Sequence, residues 1–343
     1  MTPEAPVAGV VVQRWNRLSI GFTSVFGLFA VALFLVPVVL SANSTEKMTS
    51  LLILVLLAAM WNALAGYGGL VSVGQQAFIG LGAYGTVWLV NHNMNPYRAM
   101  IVAALFCAAL SIPLSFLVLR FRGAQFAIGM WVVAEAVGIL VSFDQSLGAG
   151  SGTSLLALNY YSPSKRQADT YWLTLGMTAF FLVALFLLVR SRLGVSLQAI
   201  RDDEHAAASL GVRVVAGKRI LFVLAAAGCG AAGAMTLANT LFIEPSSIFG
   251  VDWTAYMIFM VLVGGVGTFE GPIIGAVILF LIQNEYGNDG VWYLVGLGGA
   301  AMFFALLLPR GVWGAARERY GIRLLPLGYH LRVPRRPATR AAE

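Results

Sequence analysis

What this sequence has least of is charge. Lys, Arg, Asp and Glu supply 11% of its 343 residues, against 59% hydrophobic residues and a mean hydropathy of +0.82. Soluble domains carry roughly a quarter charged residues. A chain of this length with so few charges cannot cover a water-facing surface, which excludes a soluble globular fold and leaves an integral membrane protein. In lipid every backbone polar group has to be satisfied within the protein, so long apolar runs read as helices and the fold class is all-α. Cysteine is nearly absent. The two present, Cys107 and Cys229, lie in apolar stretches, which implies neither a disulfide framework nor a metal cluster. Histidine is as sparse: His92, His205 and His330 fall in different loops, with no H-E-x-x-H and no nucleophile elbow. A catalytic role is not supported.

What is present is a series of apolar runs. A helix needs about 20 apolar residues to cross the hydrocarbon core. On that measure about ten crossings are expected, near 20–40, 50–66, 75–90, 99–119, 124–143, 171–189, 219–243, 253–266, 271–285 and 291–309. The third, eighth and ninth are short and glycine-rich. The first is longer than the apolar region of a signal peptide and is kept as a span.

Basic residues stay on the cytoplasmic side, so the loops fix the orientation. With both termini cytoplasmic, 18 of the 22 Lys and Arg residues fall inside, and Lys47, Arg98, Lys165 and Arg166 fall outside. The formal charge of +7 is then a matter of topology and contact with lipid headgroups, and nucleic-acid binding is not needed. Residues 1–310 read as one transmembrane domain with a charged cytoplasmic segment at 190–219. The longest outer loop, 144–170, is expected over the outer mouth. Residues 311–343 form a basic cytoplasmic tail.

Two patterns imitate phosphate-binding loops. Gly80-Leu81-Gly82-Ala83-Tyr84-Gly85 fits G-x-G-x-x-G, but it lies inside an apolar span with no strand before it, where close helix packing explains the glycines. Gly211 to Lys218 ends in Gly-Lys, but with one residue too many between the glycines and Arg219 in place of a Ser or Thr. No ATP site is expected in this chain.

Two stretches look irregular, residues 66–80 and residues 264–275. Glycine and proline at this density break helices, and broken backbone at membrane depth survives only when buried in protein or lining a wet cavity. Half-helix ends facing a cavity can hold a substrate. On that basis Ser72, Gln75 and Gln76 are expected to line a path. Gly264, Gly265, Gly267, Gly271, Pro272 and Gly275 mark helix breaks or close packing, and the four-residue recurrence of Gly267, Gly271 and Gly275 is a small-residue face. The similar texture of the two stretches hints at duplication, although the topology places both on the same side, where an inverted repeat would not. Glu135 is the one acidic residue well inside a span, where an ionised group costs roughly 2.5–3.5 kcal/mol on insertion scales. It should face the bundle interior, be protonated or find a donor, either as a pathway residue or as a buried structural partner.

Residues 191–219 hold 8 of the 37 charged residues. Ser196 is expected to cap a helix carrying Leu197 and Ile200, Asp202 or Asp203 to cap the next turn, and Gly211 to stop it. Between them, Glu204 to Leu210 forms a short helix with a smooth alanine face (Ala206, Ala207) suited to docking another protein, flanked by charges that set the register.

That segment, LQAIRDDEHAAASLG, resembles the cytoplasmic coupling motif of ABC importer permeases in its branched-chain amino-acid form. WNALAGYGGLVSVGQQAFIGLGAY and GGVGTFEGPIIGA are similar to two glycine-rich motifs of the same family, in the same order. One departure is that Gln75-Gln76 stands where the family usually has His-Ala. The resemblance covers about 50–310. It implies a non-catalytic permease subunit of the bacterial inner membrane, with Glu204, Ala206, Ala207, Leu210 and Gly211 in the coupling helix. Its partners would be a second, homologous permease, two cytoplasmic ATPases carrying ATP and Mg, and an extracytoplasmic solute-binding protein. Its solute would be a branched-chain amino acid, urea, an amide or a similar small organic molecule. The alternative is an ion-coupled secondary transporter with Glu135 as its proton site.

Overall fold

The structure, a computed structural model, describes residues 11–13, 32–287, 290–308, 310–320 and 330–332. Of the first expected span, only 32–40 fall among the described residues, and 32–39 of these are helical. The chain then runs through α1 (Ala42–Asn62), α2 (Gln76–Asn91), α3 (Pro96–Val118) and α4 (Ala124–Phe143). It continues with α5 (Pro163–Arg190), two short helices α6 (Arg192–Asp202) and α7 (Glu204–Ser209), and the long α8 (Val214–Thr240). A single turn α9 (Pro245–Ile248) leads to α10 (Asp252–Gly264), α11 (Gly271–Tyr286), α12 (Val291–Leu307) and α13 (Gly311–Tyr320). Among the described residues, strands are confined to two pairs, β1 (Val11–Gln13) with β4 (His330–Arg332) and β2 (Thr153–Ser154) with β3 (Phe242–Ile243). The first pair lays the N- and C-terminal segments side by side. Among the described residues, seven helical stretches are long and apolar enough to cross a membrane. α2 and α11, at 16 residues each, are shorter.

Two helices form the interior. α1 is buried on all sides from Leu52 onward, and α8 from Leu221 to Leu237 apart from a few positions, as expected for helices apolar all round. α8 carries a run of small residues, Ala225 to Ala234, that lets backbones touch. A Cβ on Gly82 of α2 would stand 1.9 Å from the carbonyl oxygen of Gly230, and one on Gly233 would stand 1.9 Å from that of Ile79. Between membrane helices, where burial of apolar surface gives no driving force, such close packing is the source of affinity. It also accounts for the G-x-G-x-x-G imitation, because Gly80 faces the Phe249 ring and Gly82 faces α8. Cys107 and Cys229 are free and buried. The outer helices α3, α4, α5 and α12 expose large apolar side chains such as Leu105, Phe106, Leu140, Phe180, Leu187 and Leu306. In water these would be a liability; against lipid or another apolar subunit they are a fitted surface.

The brevity of α2 has a local cause. At 1.5 Å per residue it reaches about 24 Å, short of a core roughly 30 Å thick. Residues 69–75 before it are not helical and run back up the bundle, with the Trp61 indole N–H donating to the Ser72 carbonyl at 2.9 Å. Extended backbone therefore supplies the first part of this crossing.

The two ends of the helix bundle differ. One side gathers Arg122, the 191–219 segment and both glycine-rich breaks. The opposite side carries the loop after α4, whose 3₁₀ turns and β2–β3 pairing fasten it to the end of α8, with Leu155 N–H donating to the Leu241 carbonyl at 3.0 Å. That loop is shorter than expected, since 163–170 belong to α5. The expected tail also changes. Residues 311–320 form α13, which packs against α10 and α11, and a Cβ on Gly311 would stand 2.5 Å from the Gly265 nitrogen.

Candidate functional site

The charged segment is two helices separated by Asp203, whose backbone is extended. α6 starts after Ser191, whose hydroxyl oxygen accepts from the Leu193 N–H at 3.2 Å. Ser196, expected as the cap, instead lies mid-helix and donates to the Arg192 carbonyl. Leu197 and Ile200 are buried against α8. Of the two aspartates, Asp203 is the cap of α7, accepting from the N–H groups of His205 and Ala206 at 2.9 and 3.0 Å. Those two bonds, Ala206 foremost, hold its carboxyl below the ordinary range. Asp202 pairs with Arg201 instead. Gly211 closes the turn at φ +84°, with its N–H on the Ala208 carbonyl. That left-handed conformation is the common helix stop, and glycine adopts it without strain.

On α7 only Ala207 is buried, while Ala206 and Leu210 face outward, Leu210 at 85% exposure. An exposed leucine at the tip of a charged loop is a contact waiting for a partner surface. Glu204 does not face that way. Its carboxylate takes the Lys218 ammonium at 2.7 Å, where that side chain is only 11% exposed, and lies 3.6 Å from Arg122. Partial burial raises the Glu204 carboxyl, but the hydrogen bond and charge of Lys218 with the charge of Arg122 outweigh it, and the net shift is downward. The expectation that Glu204 lies beside the alanine face as a docking charge is corrected: it fastens α7 to α8 and to the turn between α3 and α4.

Next to this lies the junction of the two breaks. The helix of α1 widens into a π-turn at Ala63–Tyr67 before it stops. Asn62, just ahead of it, donates through Nδ2 to the Thr268 carbonyl and accepts through Oδ1 from the Gly267 N–H, both at 2.8 Å. Arg201 Nη1 donates to the Gly66 carbonyl at 2.9 Å. A Cβ on Gly66 would stand 2.6 Å from the Gly267 nitrogen, so nothing larger fits between. Both breaks and the charged segment thus meet at one point, on one side of the membrane. Neither Asn62 nor Arg201 stood out in sequence as a site residue. The available signals were an amide at the end of a long apolar run and an arginine inside the quoted motif, which counted there only as charge.

The remaining glycines divide. Gly271 and Gly275 lie on α11 facing α10, where a Cβ on Gly275 would stand 1.7 Å from the Met260 carbonyl oxygen and one on Gly264 1.9 Å from that of Gly271. Pro272 sits in the first turn of α11, where its missing N–H costs nothing. Gly265 and Gly267 lie in the break itself at positive φ. Gly267, Gly271 and Gly275 are therefore not one helix face: the first faces Gly66 and Arg201.

The expected path residues also divide. Ser72, Gln75 and Gln76 are fully buried. Gln75 Nε2 donates to the Ser72 hydroxyl at 3.2 Å, Gln76 Nε2 donates to the Val73 carbonyl, and Thr254 donates to Gln76 Oε1 at 2.5 Å. In extended backbone alternate residues face opposite ways. Here Leu70, Ser72 and Gly74 face in while Val71 faces out. These bonds knit the break together, and Gln75 Oε1 alone of the trio's amide oxygens is buried without a partner among the described residues. Glu135 finds the expected donor but not the expected inward orientation. It faces away from the bundle, in line with Ile128, Trp131, Val132 and Ile139 on the exposed face of α4, and its carboxylate accepts from the Trp131 indole N–H at 3.1 Å. Among the described residues no group of His, Cys, Asp and Glu is placed to hold a metal ion.

Comparison with known proteins agrees with this arrangement. A family model described as branched-chain amino acid transport system / permease component matches residues 43–306. The chain is similar to the high-affinity branched-chain amino acid transport system permease protein LivM of Salmonella typhimurium, 28% identical, over 86% of this chain and 77% of that protein. The LivM protein of Escherichia coli is 27% identical over the same shares. A looser likeness joins it to a solved structure of PsaBC from Streptococcus pneumoniae in complex with Fab, at a TM-score of 0.45 and 15% identity, covering 82% of this chain and 96% of that one. The family match and the two LivM relatives set aside the ion-coupled carrier. The chain belongs to the branched-chain amino-acid type of ABC permease, as a membrane-embedded transport component and not an enzyme.

Proposed function

We propose that the chain is one of two permease subunits of an ATP-driven importer in the bacterial inner membrane. Its other partners would be two cytoplasmic ATPases, which carry the ATP and Mg, and an extracytoplasmic solute-binding protein. The solute would be a branched-chain amino acid or a related small organic molecule such as urea or an amide. The observation that carries the coupling is the Arg201 contact. The helix pair that presents Leu210 and Ala206 outward is bonded through Arg201 to Gly66, and Gly66 is packed on Gly267. A push on α7 reaches both broken spans without passing through solvent. Such a junction can act as the bistable element that ATPase closure shifts between outward- and inward-facing states.

The path would run along the outward face of α4, between two permease subunits. A carboxylate facing hydrocarbon with one donor is expensive, so the face carrying Glu135 belongs against protein or a water-filled path. Purification in mild detergent tests the assembly: ATPase subunits and a second permease should accompany the chain. Transport by the chain alone in liposomes, driven by a proton gradient without ATP, would overturn it.

A further inference from the structure

A cavity of about 410 Å³ opens where α3 ends and α8 begins, lined by Ser115, Phe116, Arg120, Arg122, Glu204 and Arg219. Its charges do not balance. Glu204 is already held by Lys218 at 2.7 Å. Arg122 lies 3.6 Å from that same carboxylate and donates from Nη1 to Nε2 of His205 at 3.3 Å. Arg219 has a fixed orientation: its Nε donates to the Ser115 hydroxyl at 2.9 Å and its guanidinium lies 3.9 Å from the centre of the Phe116 ring. Among the described residues, neither Arg120 nor the terminal nitrogens of Arg219 meet a carboxylate. An arginine held at one nitrogen and stacked on an aromatic ring presents a planar fork already oriented for a tetrahedral anion.

The surroundings identify the anion's source. Phe116 and Val215 line the cavity and are exposed, and the equally exposed Ile112, Leu117 and Ile220 lie within a helical turn of lining residues on α3 and α8. A soluble anion or an acidic protein surface has no use for such an apolar rim, whereas a phospholipid matches it, with its phosphate among the arginines and its chains along the exposed side chains. The basic side of the membrane protein is also the side on which anionic lipid headgroups attract arginine.

We propose that this cavity binds the phosphate of an anionic membrane phospholipid, held by Arg219, Arg120 and Arg122. The site adjoins the carboxylate that fastens α7, so an occupant would compete with Glu204 for Arg122. The inference stands apart from the transport reading, since it concerns only the fold and its lipid surroundings.

The test uses the purified complex, stripped of lipid in detergent and titrated with phosphatidylglycerol or phosphatidylcholine, with retention read by native mass spectrometry. Phosphatidylglycerol should be retained preferentially, and Arg120→Gln, whose side chain makes no contact that the fold needs, should weaken it roughly fivefold. Arg219→Gln should weaken it further, and Arg219→Lys should retain only part of it, because the fork is lost. Equal retention of the two lipids, or no change in Arg120→Gln, would overturn the proposal. Displacement of the lipid by millimolar inorganic phosphate would make this a soluble-anion site instead. Loss of co-purifying protein subunits from Arg120→Gln, with phosphatidylglycerol retention unchanged, would assign the cavity to an acidic protein surface.

Discussion

Glu135 and the buried amides of the first break pose opposite problems for a membrane protein. Ser72, Gln75 and Gln76 are sealed inside, and their hydrogen bonds replace the water that broken backbone would otherwise need. Glu135 stands outside on α4 with one indole N–H for company. Cysteine placed at 135 should therefore react with a small water-soluble thiol reagent in the assembled transporter, while cysteines at 72, 75 and 76 should stay unlabelled until the protein unfolds. The reverse pattern would restore the polar trio to the path. The Glu204–Lys218 pair makes a second case. Glu204→Gln removes the charge partner of a nearly buried ammonium and should cost about 2 kcal/mol in local anchoring of α7. The Asp203 and Glu204 carboxyls both lie below their ordinary values, so their contribution is complete above the ordinary carboxylate range and fades as pH falls through the lowered values. A spin label at Ala208→Cys should report a constant, docked α7 from pH 8 to about 5 and growing mobility below about pH 4. Mobility that rises instead between pH 8 and 6 would contradict this assignment.

Among the elements, the contact of α2 with α8 is a tight constraint at two separate glycines. With Cβ positions only 1.9 Å from backbone oxygens at Gly82 and Gly233, even alanine must push the helices apart. Gly82→Ala should lower stability by about 1–3 kcal/mol, read as a fall in Tm of the purified complex. Gly176→Ala on α5, where a Cβ would meet nothing within 4 Å, is the control and should leave Tm unchanged or slightly higher. Equal Tm for both variants would mean the packing is looser than it looks. This level also shows what sequence discloses. The long apolar helices, the glycine-rich breaks and the stop at Gly211 follow from composition and local rules, because each depends on neighbours a few residues away. The junction of Asn62 with Gly267 joins residues 205 apart, and no local signal carries such a pairing. Polarity suggested a path at Ser72, yet the alternation of extended backbone turned it inward, a choice set by packing against α1 and α4. Ser196 lost its capping role for a simpler reason: Ser191, five residues earlier, already occupied the end of the preceding helix and started α6 first.

At the scale of the whole molecule, one surface is unlike the rest: the outward face of α4, apolar but interrupted by Glu135. If it faces a second permease across the path, cysteines at Val132 or Ile139 should cross-link between permease subunits, and cysteines at Phe180 or Val183 on α5 should not. Cross-linking through α5 alone would place the partner elsewhere. The central claim is that α7 drives both broken spans through Arg201, and it is tested most directly by comparing solute uptake with ATP hydrolysis in the reconstituted complex. In Arg201→Ala, which keeps α7 and its partner surface but releases Gly66, hydrolysis stimulated by the loaded binding protein should continue while uptake falls at least about tenfold, the effect expected when a charge-assisted bond of roughly 1.5–3 kcal/mol is lost. Uptake and hydrolysis both at the level of the unmodified complex would show that the push does not travel through this junction.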